Sequence, residues 1–286
     1  MLLLAIITSE SSQCTIRFDM YKRKPKTSGC PSLRGLVCAW VPGLPPYGTI
    51  LLDRVGGRSS GTLTNMAPSE DYIADGQYVA LDFDGTNDVV TTTSVGSGGI
   101  GNIPATKSIA MSVWIRNNDS TTGYRGIWGF TSSASNNPYW IIGTINSGRN
   151  VILSVRSDGG TGTIDRTGTR TTNSNQWTHI YVSQSTAQTA IYVNGVLDVA
   201  QSDTVARTMT LNRLSLGAYF RVTAANFYAG RADDARVYNV VHTPSEVYQM
   251  WRDGRHSGLR SKRWRNAFEG VTGGNRRRRL ICGGLT

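Results

Sequence analysis

The stretch Gly230-Arg-Ala-Asp-Asp-Ala-Arg-Val-Tyr-Asn239, with the Thr243-Pro-Ser-Glu246 that follows it, decides how this chain is organised. The first part has the composition of a strand and carries two adjacent carboxylates, Asp233 and Asp234. Because side chains alternate along a strand, the two are expected on opposite faces, with at least one of them among apolar neighbours. A buried carboxylate is costly unless it is paired or binds a metal.

The second part of this stretch predicts the start of a helix. Thr243 and Glu246 form a capping box, in which the threonine hydroxyl and the glutamate carboxylate each accept an N–H of the other residue. Three apolar residues then recur at spacing i, i+3 and i+4 from Val247, and Gly254 is a typical helix end. The sequence therefore predicts one short helix whose apolar face packs on the strands that precede it.

Upstream, short apolar runs recur between turns rich in glycine, threonine and asparagine. The strongest, Ser108–Arg116, alternates apolar and other residues as a half-buried strand does. Asn194 and Gly195 lie between two such runs, and both tolerate the positive φ of a type I′ hairpin turn. About a dozen strands and no long helix predict an all-β fold, a two-sheet antiparallel jelly-roll sandwich with one short C-terminal helix.

The charge of the chain is concentrated at its two ends. The net charge is +11 overall, but +4 in residues 1–34, −1 in residues 35–251 and +8 in residues 252–286. We therefore predict a jelly-roll domain over 35–254, flanked by an irregular basic segment, 1–34, and a basic tail, 255–286. The tail is expected to contact an acidic partner or to have no specific role, and nucleic-acid binding is disfavoured because the body is nearly neutral.

The first residues predict neither a signal peptide nor a membrane span. The apolar run after Met1 is short and has no basic residue before it. Because Met20 is an equally good translation start, residues 1–19 are interpreted as an extension of the gene model. The whole chain contains no run of ~18 apolar residues, so no transmembrane helix is predicted.

The cysteines and histidines do not suggest a zinc site. No C-x-x-C pair occurs, and the inventory is limited to Cys14, Cys30, Cys38, Cys282, His179, His242 and His256. A bridge between Cys30 and Cys38 and unpaired thiols at both positions remain equal alternatives.

The chain is not expected to be an enzyme. Most glycoside hydrolysis needs two carboxyl groups at a defined separation, and Asp82 and Asp84 could be read as such a pair. The few glutamates lie in terminal segments, in a loop or at the helix cap, namely Glu10, Glu70, Glu246 and Glu269. We find no convincing Ser-His-Asp set either, and Gly96–Gly101 lies between strands, unlike a phosphate-binding loop.

Sugar binding requires exposed aromatic faces beside amides and hydroxyls, and three predicted loops offer them. These are Asn117–Arg125 with Tyr124, Thr131–Trp140 with Tyr139, and Ala218–Tyr228 with Tyr219 and Phe220. The four aromatic residues are the candidate ligand-binding residues. The alternative is that they cap the ends of the core. Trp114, Trp128 and Trp177 are predicted to lie in the core itself.

An ordered set of motifs resembles the laminin-G-like, concanavalin A-like jelly-roll family. The set comprises Leu81–Val90, Ser112–Ile115, Gln176–Ile180 with Tyr192–Gly195, and Asp233–Asn239 with the capped helix; Gly35–Trp40 also fits. The resemblance covers roughly residues 35–251. It implies the fold, and a family of lectin-like and adhesion modules and domains of virion or cell-surface proteins.

The same resemblance implies one structural Ca²⁺. Its candidate ligands are Asp84 and Asp88 in the turn after Phe83, with Asp233 or Asp234. The alternatives are an ion pair of the latter aspartates with Arg231 or Arg236, and a purely structural role for Asp84 and Asp88 in the turn.

These observations predict a non-catalytic binding module. The expected ligand is a carbohydrate, or a surface contacted in adhesion, in a virion or cell-surface setting that the resemblance to phage structural proteins suggests. The alternative is a decoration protein with a purely structural role in virion assembly and no sugar site.

Overall fold

The computed structural model describes residues 33–255, apart from 43–47, 56–58, 76–77, 94–107, 119–122, 146–148, 173–174 and 206. Almost all of the predicted basic segments, 1–34 and 255–286, and the Gly96–Gly101 loop therefore lie outside the described residues.

Eighteen strands and one helix make up the described part of the chain. The first nine strands are β1 (Leu36–Trp40), β2 (Ile50–Leu51), β3 (Gly61–Thr64), β4 (Tyr72–Asp75), β5 (Tyr78–Asp84), β6 (Val89–Thr92), β7 (Ile109–Asn117), β8 (Arg125–Thr131) and β9 (Tyr139–Ile145). The others are β10 (Asn150–Arg156), β11 (Ile164–Thr171), β12 (Trp177–Gln184), β13 (Gln188–Val193), β14 (Val196–Ser202), β15 (Arg213–Leu216), β16 (Tyr219–Phe220), β17 (Ala224–Ala225) and β18 (Ala229–Tyr238), followed by α1 (Pro244–Arg255).

Two eight-stranded antiparallel sheets form the sandwich, which confirms the predicted fold class. The first sheet has the order β14-β13-β12-β7-β18-β5-β4, and β1 also pairs with β18. The second has the order β11-β10-β9-β8-β15-β6-β3-β2. The strands β16 and β17 pair only with each other.

The core lies between the two sheets and follows the alternation of side chains along each strand. Ile109, Met111, Val113 and Ile115 of β7 all belong to it, as predicted from their period of two. Trp128 is fully buried there, and its indole N–H donates across the sandwich to the Arg236 carbonyl over 3.3 Å.

Two of the three tryptophans predicted for this core lie elsewhere. Trp114 alternates with Val113 and Ile115, so it faces away from the second sheet, and its ring lies directly against Gly254 of α1. Trp177, the first residue of β12, is only half-buried. The sequence marked these residues as apolar but did not show that the outer face of the first sheet is covered.

The helix packs on that outer face. The sequence predicted that the helix packs on the strands, and the structure shows which face it covers. Val247 and Met250 are buried in a small cluster with Tyr181, Tyr192 and Tyr238 of the first sheet. The hairpin turn before β14 is also confirmed, since φ is 53° at Asn194 and 76° at Gly195. The backbone of Gly195 lies against α1, so a Cβ there would be 3.0 Å from the Tyr248 Cα, a tight contact.

The capping box is present in both directions. The Thr243 N–H donates to the Glu246 carboxylate over 2.7 Å, and the Glu246 N–H donates to the Thr243 hydroxyl over 3.3 Å. Arg34, two residues before β1, also binds the Glu246 carboxylate, at 2.8 Å, and so connects the start of the described chain to the start of α1.

Cys38 is a free, buried thiol, and burial raises its pKa well above the ordinary value. Its predicted alternative partner, Cys30, lies outside the described residues. No helix among the described residues has the length and apolar character that a membrane span requires.

We predict that Thr243→Ala lowers the free energy of unfolding by about 1 kcal/mol, because an N–H of the first helical turn loses its acceptor. Urea denaturation of the variant and the parent measures the difference. Thr243→Ser keeps the hydroxyl and serves as the control, with an expected change of only a few tenths. An equal loss in both variants would show that the cap does not stabilise the helix.

Candidate functional site

Three of the four candidate aromatic residues, one from each predicted loop, meet at one place. Tyr219 lies at the centre, with its ring centroid 5.2 Å from that of Tyr124 and 5.5 Å from that of Tyr139, both edge to face. Phe220 follows Tyr219 in β16. The folding of the chain therefore joins three segments that are far apart in sequence.

This meeting point is the outer face of the second sheet. Trp140 and Ile142 of β9 point into the core, so Tyr139 between β8 and β10 points outward. The hairpin β16–β17 crosses over the same face. Gly126 in β8 allows this crossing, because a side chain at Gly126 would collide with the backbone of Tyr219.

The four aromatic residues differ in how much surface they present. Tyr139 is only 3% exposed, and the hydroxyl of Tyr124 is buried without a hydrogen-bond partner. The burial of these two residues agrees with the alternative prediction, in which the aromatic residues cap the ends of the core. Tyr219 and Phe220 are half-exposed, so they present ring surface to a ligand.

Three arginines that the sequence analysis did not single out complete the arrangement. Arg213 lies over the Phe220 ring at 4.3 Å from its centroid. Arg221 lies 5.1 Å from the Tyr219 centroid and 5.8 Å from the Tyr139 centroid, and Arg156 lies 5.6 Å from the latter. We call the set of Tyr139, Tyr219, Phe220, Arg156, Arg213 and Arg221 the cationic aromatic cluster.

A sequence signal for Arg213 did exist. In Arg213-Leu-Ser-Leu216 the two leucines face the core, so the period of two places Arg213 and Ser215 on the outer face. The neighbours of Arg213 on that face come from other strands and from the hairpin, which the sequence did not place.

Polar groups lie beside the cluster on the chain between β8 and β9 and before β15. Asn212 and Ser133 bind each other twice, through the Ser133 N–H to the Asn212 amide oxygen at 2.7 Å and the Asn212 amide nitrogen to the Ser133 hydroxyl at 2.9 Å. The side-chain oxygen of Asn137 is buried without a hydrogen-bond partner. Amides and hydroxyls of this kind are suited to binding sugar hydroxyl groups.

The predicted metal ligands Asp84 and Asp88 share one turn. The Asp84 carboxylate accepts the N–H groups of Thr86 and Asn87, at 2.7 and 3.2 Å, and Asp88 accepts the N–H of Asp84 at 2.9 Å. Burial raises the pKa of Asp88 to about 6, and the charge of nearby Asp84 contributes to the increase. These contacts agree with the alternative prediction, in which Asp84 and Asp88 shape the turn. They also place the two carboxylates close together.

Asp233 and Asp234 do not lie on opposite faces of a regular strand, which corrects the prediction. The register of β18 against β7 shifts between Asp233 and Arg236, and Asp234 has φ of 53°. Ala232 and Ala235 both belong to the core, so a bulge inserts one extra residue between them. Both carboxylates are buried, at 4% and 5% exposure.

The Asp234 carboxylate forms a buried two-point ion pair with Arg236, through Nε at 2.5 Å and Nη2 at 2.7 Å. Burial alone would lower the pKa of Arg236, but the Asp234 charge raises it above its ordinary value. This pair is one of the alternatives predicted from sequence. The other arginine considered, Arg231, pairs with Asp82 at 3.4 Å.

The four aspartates therefore do not form a single metal site. Asp84 is the register partner of Ala229, four residues before Asp233 on β18, which corresponds to about 13 Å along the strand. No group of three or more histidine, cysteine, aspartate or glutamate side chains in the described ranges is placed to hold a metal. Asp84 and Asp88 lie together in one turn, apart from Asp233 and Asp234.

We predict that Asp234→Asn destabilises the fold by about 3 kcal/mol, because it leaves the buried Arg236 charge without a counterion. Asparagine tolerates positive φ, so the substitution tests the charge and not the bulge. Asp82→Asn is the control, since its pair with Arg231 is half-exposed and worth less than about 1 kcal/mol. Chemical denaturation measures both, and equal losses would contradict the prediction.

Three solved structures illustrate which known folds this chain is similar to. The binding domain of botulinum neurotoxin serotype G superposes with a TM-score of 0.58 at 14% identity, over 77% of this chain and 51% of that one. The serotype D ligand-binding domain in complex with N-acetylneuraminic acid gives 0.55 at 11% identity, over 78% and 52%. The chain thus spans about half the length of these toxin domains.

A third structure is similar over nearly its whole length. Domain 4 of AbnA, a GH43 extracellular arabinanase from Geobacillus stearothermophilus, in complex with arabinotriose, superposes with a TM-score of 0.55 at 18% identity, over 75% of this chain and 97% of that one. At these identities the likeness concerns the fold alone.

No curated protein matches the sequence. A protein family, Laminin_G_3, described as the concanavalin A-like lectin/glucanases superfamily, matches residues 84–248, more than half of the chain. This match begins at the last residue of β5 and ends within α1, so it includes β6 to β18, the cationic aromatic cluster and the helix cap. The chain therefore belongs to the laminin-G-like family of the concanavalin A-like lectin/glucanases superfamily.

Proposed function

We propose that this chain is a non-catalytic carbohydrate-binding module and that the cationic aromatic cluster is its sugar-binding site. The observation that carries the proposal is the meeting of Tyr139 and Tyr219 on one outer face, with Phe220 next to Tyr219 in β16 and the bonded Asn212 and Ser133 side chains nearby. A sugar ring has one apolar face and a rim of hydroxyl groups. Half-exposed aromatic rings with neighbouring amides and hydroxyls complement both features.

The carboxylates near the cluster support a role without catalysis. Asp165 accepts a hydrogen bond from the Ser154 hydroxyl at 2.7 Å, and Asp158 accepts from the N–H and hydroxyl of Thr210 at 2.8 and 3.1 Å. Asp82 and Asp84, considered above as a glycosidase pair, belong to the first sheet. They therefore do not flank a ligand held on the second sheet.

The similar structures support binding in a general way, since two of them contain a saccharide and all three are named as binding domains or as part of a carbohydrate-active enzyme. A finer assignment, adhesion at a cell surface or on a virion, is part of the proposal and rests on the resemblance alone. The competing proposal is a decoration protein that takes part in virion assembly without a sugar site.

A glycan array probed with the full chain tests the proposal. We expect Tyr219→Ala and Phe220→Ala each to weaken binding to the best glycan by roughly tenfold, which corresponds to about 1.4 kcal/mol of lost ring contact. Tyr248→Ala is the matched control, because Tyr248 is 47% exposed on α1, at the outer face of the other sheet. Absence of glycan binding by the folded chain would refute the proposal and favour the decoration protein.

We also propose that Ca²⁺ binds between Asp84 and Asp88, and two carboxylates in one turn support this. Ca²⁺ would then raise the midpoint of heat denaturation relative to EDTA, and more at about pH 8 than at about pH 5, because Asp88 is largely protonated below its pKa of about 6. Asp88→Asn is expected to abolish the increase. An unchanged midpoint in the parent chain at both pH values would exclude the site.

A further inference from the structure

The charge of the cationic aromatic cluster is not balanced by carboxylates. Among the described residues, Arg156, Arg213 and Arg221 form no ion pair, whereas Arg34, Arg207, Arg231, Arg236 and Arg252 each have an aspartate or glutamate within 4.0 Å. Two of these arginines lie over the rings of Tyr139 and Tyr219 and the third lies over Phe220, so three positive charges without a paired carboxylate are close together.

Arg213 is the most informative of the three because it is only 8% exposed. Its guanidinium donates to two backbone carbonyls, those of Arg221 and, over 3.4 Å, of Ser133. Burial lowers its pKa. A buried guanidinium is normally neutralised by a carboxylate, as Arg236 is by Asp234 in the first sheet. The carbonyls supply hydrogen bonds to Arg213 but no opposing charge.

Arg221 and Arg156 are half-exposed and rest on ring faces. Stacking on an aromatic ring occupies the plane of a guanidinium and leaves its N–H groups at the edge available. The Nε of Arg156 is buried without a hydrogen-bond partner, so a ligand would contact this half-exposed residue through its Nη groups. A planar fork of donors of this kind is suited to two-point binding of a carboxylate or sulfate.

The neighbouring acids Asp158 and Asp165 form no ion pair with these arginines. Asp165 lies on the outer face of β11 and is exposed, and its contact is the hydrogen bond from the Ser154 hydroxyl. Asp158 is held by Thr210. The missing anion is therefore expected to come from the ligand.

We propose that the cationic aromatic cluster binds an acidic glycan, one that carries a carboxylate or a sulfate group. Arg221 and Arg156 bind the acidic group, and Arg213 adds its charge from beneath while it holds Phe220 in place. The inference rests on the proposed sugar-binding function and adds the chemical class of the sugar.

The test compares the full chain on matched glycans that differ only in the acidic group: a neutral oligosaccharide, its sialylated or uronic-acid form, and its sulfated form. We expect the parent to bind at least one acidic form about tenfold more tightly than the neutral form at constant ionic strength. The two acidic arms distinguish a carboxylate from a sulfate ligand. Surface plasmon resonance gives the affinities.

Arg221→Gln is the main variant and Arg252→Gln is its matched control, since Arg252 is also half-exposed but lies on α1. We expect Arg221→Gln to lower the affinity for the acidic form by a larger factor than the affinity for the neutral form, so that most of the preference for the acidic form is lost. Arg252→Gln is expected to leave that preference unchanged. Because the basic tail is present in both variants, any contribution of the tail to anion binding cancels in the comparison.

Each outcome separates this inference from the proposed function. Equal affinity of the parent for neutral and acidic forms, or equal effects of the two arginine variants, overturns the acidic-glycan inference and leaves sugar binding intact. Binding to no glycan overturns both. Tighter binding to an oligonucleotide than to any glycan, lost in Arg221→Gln, assigns the cluster to phosphate and also overturns the inference.

Arg213→Gln provides a second, independent measurement. If Arg213 is a buried charge without a counterion in the free protein, Arg213→Gln leaves the denaturation midpoint unchanged or raises it. The preference for the acidic form is expected to fall in the same variant. A large loss of stability, comparable to that of Asp234→Asn, would mean that Arg213 is fully compensated within the fold and would contradict its assigned role.

Discussion

The first sheet depends on the backbone pairing of β18, which joins strands from distant parts of the chain. On one side β18 pairs with β7, and on the other it pairs first with β5 and then with β1. The bulge at Asp233 and Asp234 lies where the partner changes from β5 to β1. The ion pair between Asp234 and Arg236 neutralises the charge that is buried at this bulge. Because of the bulge, β5 and β1 can each pair with one half of the same edge of β18.

Each sheet has an outer face that points away from the core, and a different element covers this face in each sheet. In the first sheet, α1 covers the outer face and packs its apolar residues against tyrosines. In the second, the hairpin β16–β17 crosses the outer face and brings aromatic rings and arginines over it. The first arrangement excludes water with apolar contacts. The second leaves half-exposed rings and unbalanced positive charge, which is why we assign binding to the second.

The comparison of Arg236 with Arg213 shows why this charge matters. Both are buried guanidinium groups in neighbouring layers of one domain, yet only Arg236 has a carboxylate partner. A buried charge without a counterion is energetically costly. The lack of a carboxylate beside Arg213 is therefore a physical reason to expect an anionic ligand on the outer face of the second sheet and not on that of the first.

The sequence by itself determined the sandwich, the Asn194-Gly195 turn and the capped helix, because each follows from a local period or from the backbone preferences of a few residues. It also identified Tyr124, Tyr139, Tyr219 and Phe220, since aromatic residues in loops are visible locally. It did not reveal β11, whose residues Ile164–Thr171 are polar because an edge strand is largely exposed. Only the tertiary structure decided that three of these aromatic residues meet, that three arginines lie over the rings, and that a bulge places Asp234 beside Arg236. These contacts depend on strand order and register, which are set by the packing of segments far apart in the chain.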